Sequence, residues 1–439
     1  MSPRHSLFAR RRRRGLTLVE IMVSAAISLI VILALVQLFK HSGDIVSEGR
    51  ATIEMAGQVR RAAQQVREDL AGLTVPTTPW PTDAAADGYF EYFEGTEWDG
   101  FTVLAGDTDP NNDVYGDLDD AIMFTARSDE RPFVGRYLGN TIESNLAEII
   151  IFPFGPSGQE KRLYRRVLLI RPDLAGGGFL NLDAGNVASG ASLASLAAFY
   201  NLNDVSVRID RADGANGYRL RANSLSDLTK RENRFLHVVY PLNTNSFPFP
   251  FNQTYLGSML QTGLFAGNDV ILDHVTSFDV KAYDPTALIR QDATSSRALE
   301  PSDPGYAISA GASPAIPPIG QGAYVDLGYN RYTVGSSRFS GGPHVKSQLF
   351  PASYAGYTFC TWSSHYERDG FNQDNDAITD EATDGLDNDG VAGVDDGGEL
   401  ETTPPYPFPL RSLQIKIRIM DSVTQNVRQA TIQNDFFDE

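Results

Sequence analysis

The stretch RRRRRGLTLVEIMVSAAISLIVILALVQLF, Arg10 to Phe39, decides how the chain is read. From Leu16 to Phe39 it is an apolar run of 24 residues with one ionisable side chain, Glu20. As a helix this run is about 36 Å long at a rise of about 1.5 Å per residue, enough to cross a hydrocarbon core of about 30 Å. Six arginines and no acid precede it, at Arg4 and Arg10 to Arg14. By the positive-inside rule that cluster stays in the cytoplasm, and everything after Lys40 lies outside. A secretory signal peptide fits poorly, because the apolar run is too long and no small-x-small cleavage pattern follows it. A plain membrane anchor does not account for Glu20, since an acidic side chain within a spanning helix costs about 2.5 to 3.5 kcal/mol and so implies a partner charge.

The residues RRG at 13–15 followed by LTLVE at 16–20 resemble the class III signal of type IV pilins and pseudopilins. The resemblance implies that a prepilin peptidase cuts after Gly15 and methylates the new N-terminus at Leu16. It also implies that Glu20, the fifth mature residue, pairs with the terminal amine of a neighbouring subunit. The sequence departs from the family's usual pattern in having Leu at position 16 rather than Phe. Gln37 stands where major pilins carry a helix-kinking proline, which pseudopilins and minor pilins often lack.

After a polar break expected at 40–44, the steps of three and four through Ile53, Ala56, Val59, Ala63, Val66, Leu70 and Leu73 predict an amphipathic helix over 40–73 that lies against a sheet. Gly72 and Pro76 end it. Strands are expected at Ala121–Ala126, at Ala147–Phe154 and Leu163–Ile170 as a hairpin, around Val205 to Ile209, at Phe235–Tyr240, at Phe278–Tyr283 and at Leu413–Ile419. Their alternation predicts an antiparallel sheet with one wet face. The fold class is α+β: a long N-terminal helix, transmembrane then amphipathic, packed on an antiparallel β-sheet. The organisation expected is a basic leader at 1–15, a transmembrane helix at 16–39, and an exported, β-rich, pilin-like domain at 74–439. Two stretches, 173–203 and 285–358, read as long insertions. LYRRV at 163–167, VTSFDVKAYD at 275–284 and PLRSLQIKIRIMD at 409–421 resemble strands of J-type minor pseudopilins of type II secretion and of W-type minor pilins.

Without the leader, 31 basic residues face 55 acidic ones, a formal charge of −24. That surface repels nucleic acid and favours cations or basic partners. The lone Cys360 excludes an internal disulfide and a cysteine metal cluster. Residues 369–401 hold twelve acids and no base, and the segment repeats: DGFNQDNDAITDE at 369–381 aligns with DGLDNDGVAGVDD at 384–396. Oxygen side chains alternate at Asn372, Asp374 and Asp376, and again at Asp387 and Asp389. Each copy ends on an acidic pair, Asp380 with Glu381 and Asp395 with Asp396. Calcium takes six to eight hard oxygen ligands from a tightly turned backbone, so these residues and Asp384 are candidate calcium ligands. The frame matches an EF-hand at its third, fifth and twelfth places but not at its first. It looks more like the DG-rich calcium repeats of exported bacterial and thrombospondin-type proteins. A second acidic stretch, 107–120, has no repeat. A solvated acidic loop is the competing explanation for both.

The six histidines have no paired metal spacing, and no nucleophile elbow, Walker or Rossmann fingerprint appears. His237 and His274 are expected to be structural. The sequence therefore reads as a non-enzyme, itself the substrate of prepilin peptidase. The expectation is a minor pseudopilin or minor pilin in the bacterial inner membrane with its C-terminal domain in the periplasm, at or near the tip of a type II secretion or type IV pilus filament. Its partners are then the peptidase, other pilins or pseudopilins, and a secreted substrate. The alternatives are an adhesin-like binding domain with calcium-stabilised loops on the same anchor, and an exported hydrolase.

Overall fold

The computed structural model describes residues 17–81, 88–95, 116–156, 160–174, 193–211, 218–237, 247–292, 295–301, 303, 306–310, 316–329, 357–374, 378–391, 393–421 and 424–436. Helix α1 runs over Leu18–Ala71 without the break expected at 40–44. That stretch, which begins Lys40, His41, Ser42, Gly43, contains no helix-stopping proline, and a single glycine costs a helix only about 1 kcal/mol relative to alanine. The chain divides into two units, Met1–Ala56 and Gly57–Glu439. In the first, the apolar side chains from Leu18 to Phe39 stand exposed all round the helix, with Leu18 at 74% and Phe39 at 72%. Ile53, expected in the buried stripe, is 75% exposed and belongs to this unit.

In the second unit the helix turns one apolar stripe inward, burying Val59, Ala62, Ala63, Val66 and Leu70. Asp69 on the same turns receives a bidentate pair from Arg165, with Nε at 2.5 Å and Nη2 at 2.6 Å. Gly72 ends the helix where a Cβ would stand 2.5 Å from the Arg127 carbonyl oxygen. The chain can pass there only as glycine, and Arg127 N donates back to Gly72 O at 2.7 Å.

The strands that follow are β1 (Phe90–Glu94), β2 (Ala121–Arg127), β3 (Phe133–Tyr137), β4 (Asn140–Ser144), β5 (Leu146–Phe154) and β6 (Lys161–Leu169). After helix α2 (Leu193–Tyr200) come β7 (Val207–Arg211), β8 (Tyr218–Ala222) and the short helices α3 (Leu225–Leu228) and α4 (Leu256–Met259). Strand β9 (Val270–Gln291) leads to β10 (Ala298–Leu299), helix α5 (Tyr306–Ala310), β11 (Gly320–Val325) and β12 (Tyr357–Cys360), and β13 (Ser412–Met420) and β14 (Val427–Asp435) close the chain. Among the described residues a ten-stranded sheet has the order β12-β1-β2-β5-β6-β9-β13-β14, with β10 and β11 also on β9. All its named pairings are antiparallel, and β3–β4 and β7–β8 form separate hairpins.

The expected strands at 121–126, 147–154, 163–170, 278–283 and 413–419 lie in this sheet, and the β5–β6 hairpin pairs Ile150 with Arg166. The expectation of one wet face holds for β13, where Gln414, Lys416 and Arg418 are half-exposed between buried neighbours. It fails for β2 and β5, which are buried on both faces. One face carries Ile149, Ile151 and Arg165, and through Arg165 it meets the helix. The other carries Ala121, Met123, Ile150, Phe152 and Leu168, which pack against Leu196, Phe199 and Tyr200 of α2, Val207, Leu220 and Met259. Part of the 173–203 stretch is therefore core, because α2 supplies three buried apolar side chains. Residues 285–291, assigned to an insertion, instead continue β9, and residues 320–325 pair with it.

Phe235–His237 is a turn rather than the start of a strand, with Leu236 at φ 58°; residues 238–240 lie outside the described residues. The turn is fixed by buried charge. Glu91 of β1, fully buried, accepts hydrogen bonds from Arg231 Nη2 at 2.8 Å and Arg234 Nη1 at 2.8 Å, and meets His237 Nε2 at 3.0 Å. Burial alone pushes a carboxyl up, but Arg231, then His237 and Arg234, hold Glu91 well below the usual range. Burial holds the His237 imidazole below its ordinary pKa, against the pull of Glu91. His237 is thus a hydrogen-bonded structural residue, with Nδ1 2.8 Å from Phe235 O. Cys360 is buried beside this network, and burial pushes its thiol up to about 11.

Candidate functional site

Helix α1 begins with a reciprocal cap. Thr17 Oγ1 accepts from Glu20 N at 3.2 Å, and Glu20 Oε2 accepts from Thr17 N at 3.1 Å. This satisfies two of the amide donors that a helix start leaves open and places the carboxylate at the positive end of the helix dipole. Glu20 therefore sits in the first turn of the helix. Gly15 and Leu16 lie outside the described residues. By length and composition the helix can cross a membrane, and none of its apolar window is buried within the chain. The fifteen large apolar side chains exposed between Leu18 and Phe39 represent, at about 1.5 to 3 kcal/mol each, roughly 20 to 45 kcal/mol of unrealised burial. That magnitude demands lipid or other subunits around the helix.

The acidic repeat folds as two copies of one turn. Gly370 and Gly385 both adopt positive φ, 81° and 82°, and Asp380 and Asp395 both adopt left-handed backbone, 55° and 52°. Asp380 Oδ2 accepts from Gly370 N at 3.0 Å, and Asp395 Oδ1 from Gly385 N at 2.9 Å. Asp369 accepts from Phe371 N and Gln373 Nε2, while Asp384 accepts from Leu386 N and Asn388 Nδ2. Each of these contacts recurs with a step of 15 residues. Each copy is closed by a glutamate beyond the repeat. Glu401 accepts from Gln373 N at 3.1 Å and from Asp380 N, and Glu399 accepts from Asp396 N at 2.9 Å and from Asn388 N. Glu367 in turn takes Glu401 N at 2.8 Å and Thr402 N at 3.2 Å.

Of the expected ligands, the second copy brings Asp387 and Asp389 together with Glu399, a carboxylate oxygen of each lying within 4.8 Å of the others. Glu399 takes the closing place that EF-hand spacing assigned to Asp396, three residues later than the frame allows. The missed signal is the first Glu of GELE at 398–401, which falls outside either aligned copy. Asp384 and Asp395 face backbone amides of their own turn, as does Asp380 in the first copy. Asn372, Asp374 and Glu381 do not join a three-carboxylate group among the described residues, and Asp376 lies outside them. The Asn388 backbone N–H, reinforced by those of Asp396 and Asp389, holds the Glu399 carboxyl below its usual range, so it is ionised and able to ligate. Asp396 Oδ2 is buried with no hydrogen-bond partner among the described residues.

Residues 10–36 match the prokaryotic N-terminal methylation motif. The chain therefore carries a class III prepilin signal, and the long apolar helix that continues it makes the chain type IV pilin-like. No curated protein and no solved structure matches the chain at a significant level. The signal implies processing by prepilin peptidase, assembly with other pilins and an inner-membrane anchor.

Proposed function

We propose that the protein is a minor pseudopilin or minor pilin that enters a periplasmic type II secretion or type IV pilus filament at or near its tip. The methylation motif leading into a helix whose apolar side chains from Leu18 to Phe39 stand exposed carries this reading. Cleavage follows Gly15, Leu16 becomes the methylated N-terminus, and Glu20 in the first turn of the helix receives the amine of a neighbouring subunit in place of its bonds to Thr17. A unit spanning Gly57–Glu439, with a ten-stranded sheet among its described residues, is bulky for a helical shaft repeated many times, and a tip position accommodates it. Co-expression with a prepilin peptidase shortens the chain by its fifteen leader residues, as N-terminal sequencing would show. Glu20→Ala is inserted but is depleted from filaments recovered from membranes. An intact Met1–Gly15, or unchanged incorporation of the variant, overturns the reading.

A binding role at the same position is favoured by the double turn. Its donors are all oxygen, which suits calcium in preference to softer metals. Asp387, Asp389 and Glu399 hold the ion in this reading. Calcium there fixes the shape of an exposed acidic surface that meets a secreted substrate or a basic partner.

A further inference from the structure

Strand β1 pairs with β2 through Phe93 and Ala121. One step further along that register places Glu94 across from Asp120. The segment before β2 also runs beside β9, with Gly116 N donating to Thr276 O at 3.0 Å and Phe278 N to Asp117 O at 2.7 Å. The result is a cluster in the interior of the sheet domain. Glu94, Asp117 and Asp120 each place a carboxylate oxygen within 4.8 Å of the other two, and none is more than 1% exposed.

Each carboxylate is held by amides. Asp120 accepts from Val280 N at 2.7 Å and Gly95 N at 3.2 Å, Asp117 Oδ1 from Asp119 N at 3.1 Å, and Glu94 Oε2 from Leu327 N at 3.0 Å and from the Tyr92 hydroxyl. Two oxygens of the cluster, Glu94 Oε1 and Asp117 Oδ2, are buried with no hydrogen-bond partner among the described residues. Asp279 and Asp326 add negative charge nearby. The cation the structure brings to them, Lys281, is held by Asp326 at 2.5 Å and Asp279 at 3.3 Å, and the second, Lys416, reaches Asp279 at 3.4 Å. Among the described residues, these five acids and the neighbouring Asp119 thus face Lys281 and the partly exposed Lys416, and an uncompensated buried carboxylate is among the costliest groups a fold can hold. Either protons or a metal ion must neutralise the excess. Burial first, and the neighbouring carboxylates next, push Glu94, Asp117 and Asp120 well above the usual carboxyl range when no cation is present.

We propose that Glu94, Asp117 and Asp120 chelate one calcium ion that ties β1 and the approach to β2 onto β9, a site separate from the acidic repeat. The donors are all hard oxygens. Their separations fit inside a calcium shell, whose ligands at about 2.3 to 2.6 Å lie up to about 5 Å apart. Glu94 Oε1 and Asp117 Oδ2, which have no partner among the described residues, are left open as ligands.

The test uses the full chain in detergent, stripped with chelator, in a background of Asp387→Ala and Asp389→Ala that silences the repeat. Radioactive calcium in equilibrium dialysis gives the stoichiometry, and thermal unfolding with calcium or chelator gives the linkage. The expected result is one calcium per chain and a calcium-dependent rise in Tm. Adding Asp117→Asn, or separately Glu94→Gln, lowers the affinity at least tenfold and removes that rise. Both changes are isosteric and remove buried charge, so in chelator these proteins melt no lower than the background protein, which distinguishes lost binding from lost folding. No bound calcium in the background protein, or binding unchanged by both substitutions, overturns the proposal in favour of a protonated cluster. Neither outcome depends on leader cleavage or filament entry.

Discussion

Replacing Glu91 by Gln should be among the most damaging single isosteric changes in the sheet domain. Glu91 is the shared anion for Arg231 and Arg234, whose side chains are at most 1% exposed, and it also meets His237. Glutamine keeps the shape but removes the charge, leaving two buried guanidiniums facing an amide that can accept from only one oxygen. Removing one partner of a buried ion pair costs about 3 to 5 kcal/mol. A unit of about 380 residues, Gly57–Glu439, unfolds with an entropy of about 0.8 kcal/mol/K, so that loss lowers Tm by about 4 to 6 °C. The measurement is differential scanning calorimetry of the full chain in detergent. As a control, Glu91→Leu combined with Arg231→Met and Arg234→Met should recover much of the loss, because an apolar replacement of similar volume removes the desolvation cost together with the charge. A drop below about 1 °C for Glu91→Gln would show that the network does not hold the 231–237 turn against β1, and the reasoning would fail.

Two further outcomes follow from the sites described. Calcium should raise Tm more than magnesium does, and Asp387→Ala with Asp389→Ala should remove part of that rise; identical melting of wild type and variant at every calcium concentration would leave only a solvated acidic loop. His237 has a folded pKa below its unfolded value, so its stabilisation is present above about pH 6.5 and is lost as pH falls through the folded pKa, by up to about 1.4 kcal/mol per pH unit. The Tm of wild type minus that of His237→Gln should therefore fall between pH 6.5 and 4.5, and parallel profiles over that range would refute a neutral buried imidazole wedged between Glu91, Arg231 and Arg234.

What was legible in the sequence was local and periodic. The arginine cluster, the uninterrupted apolar run and Glu20 are contiguous, so the prepilin signal could be read directly, and the alternation of Leu413 to Ile419 marked β13 without help from the rest of the chain. The repeat was legible because its two copies differ by a constant step. What escaped depended on tertiary pairing. Glu94 and Asp120 are distant in sequence and meet only because β1 and β2 pair in one register, and Glu399 closes a turn from outside the aligned copies. The two-sided burial of β2 and β5 was hidden because α2 lies within a stretch rich in Gly, Ala and Ser that reads as loop. Phe235–His237 looked like a strand because it is apolar, whereas buried arginines and Glu91 bend it into a turn.

Glu399 and Glu401 stand two residues apart, and each clamps a different copy of the acidic turn. The short segment between the copies and β13 therefore works as a double latch whose spacing is set by Leu400 alone. Lengthening it by one residue would release one turn while the other stayed shut, so the two copies are bound to vary together in register even though their own sequences are free to diverge.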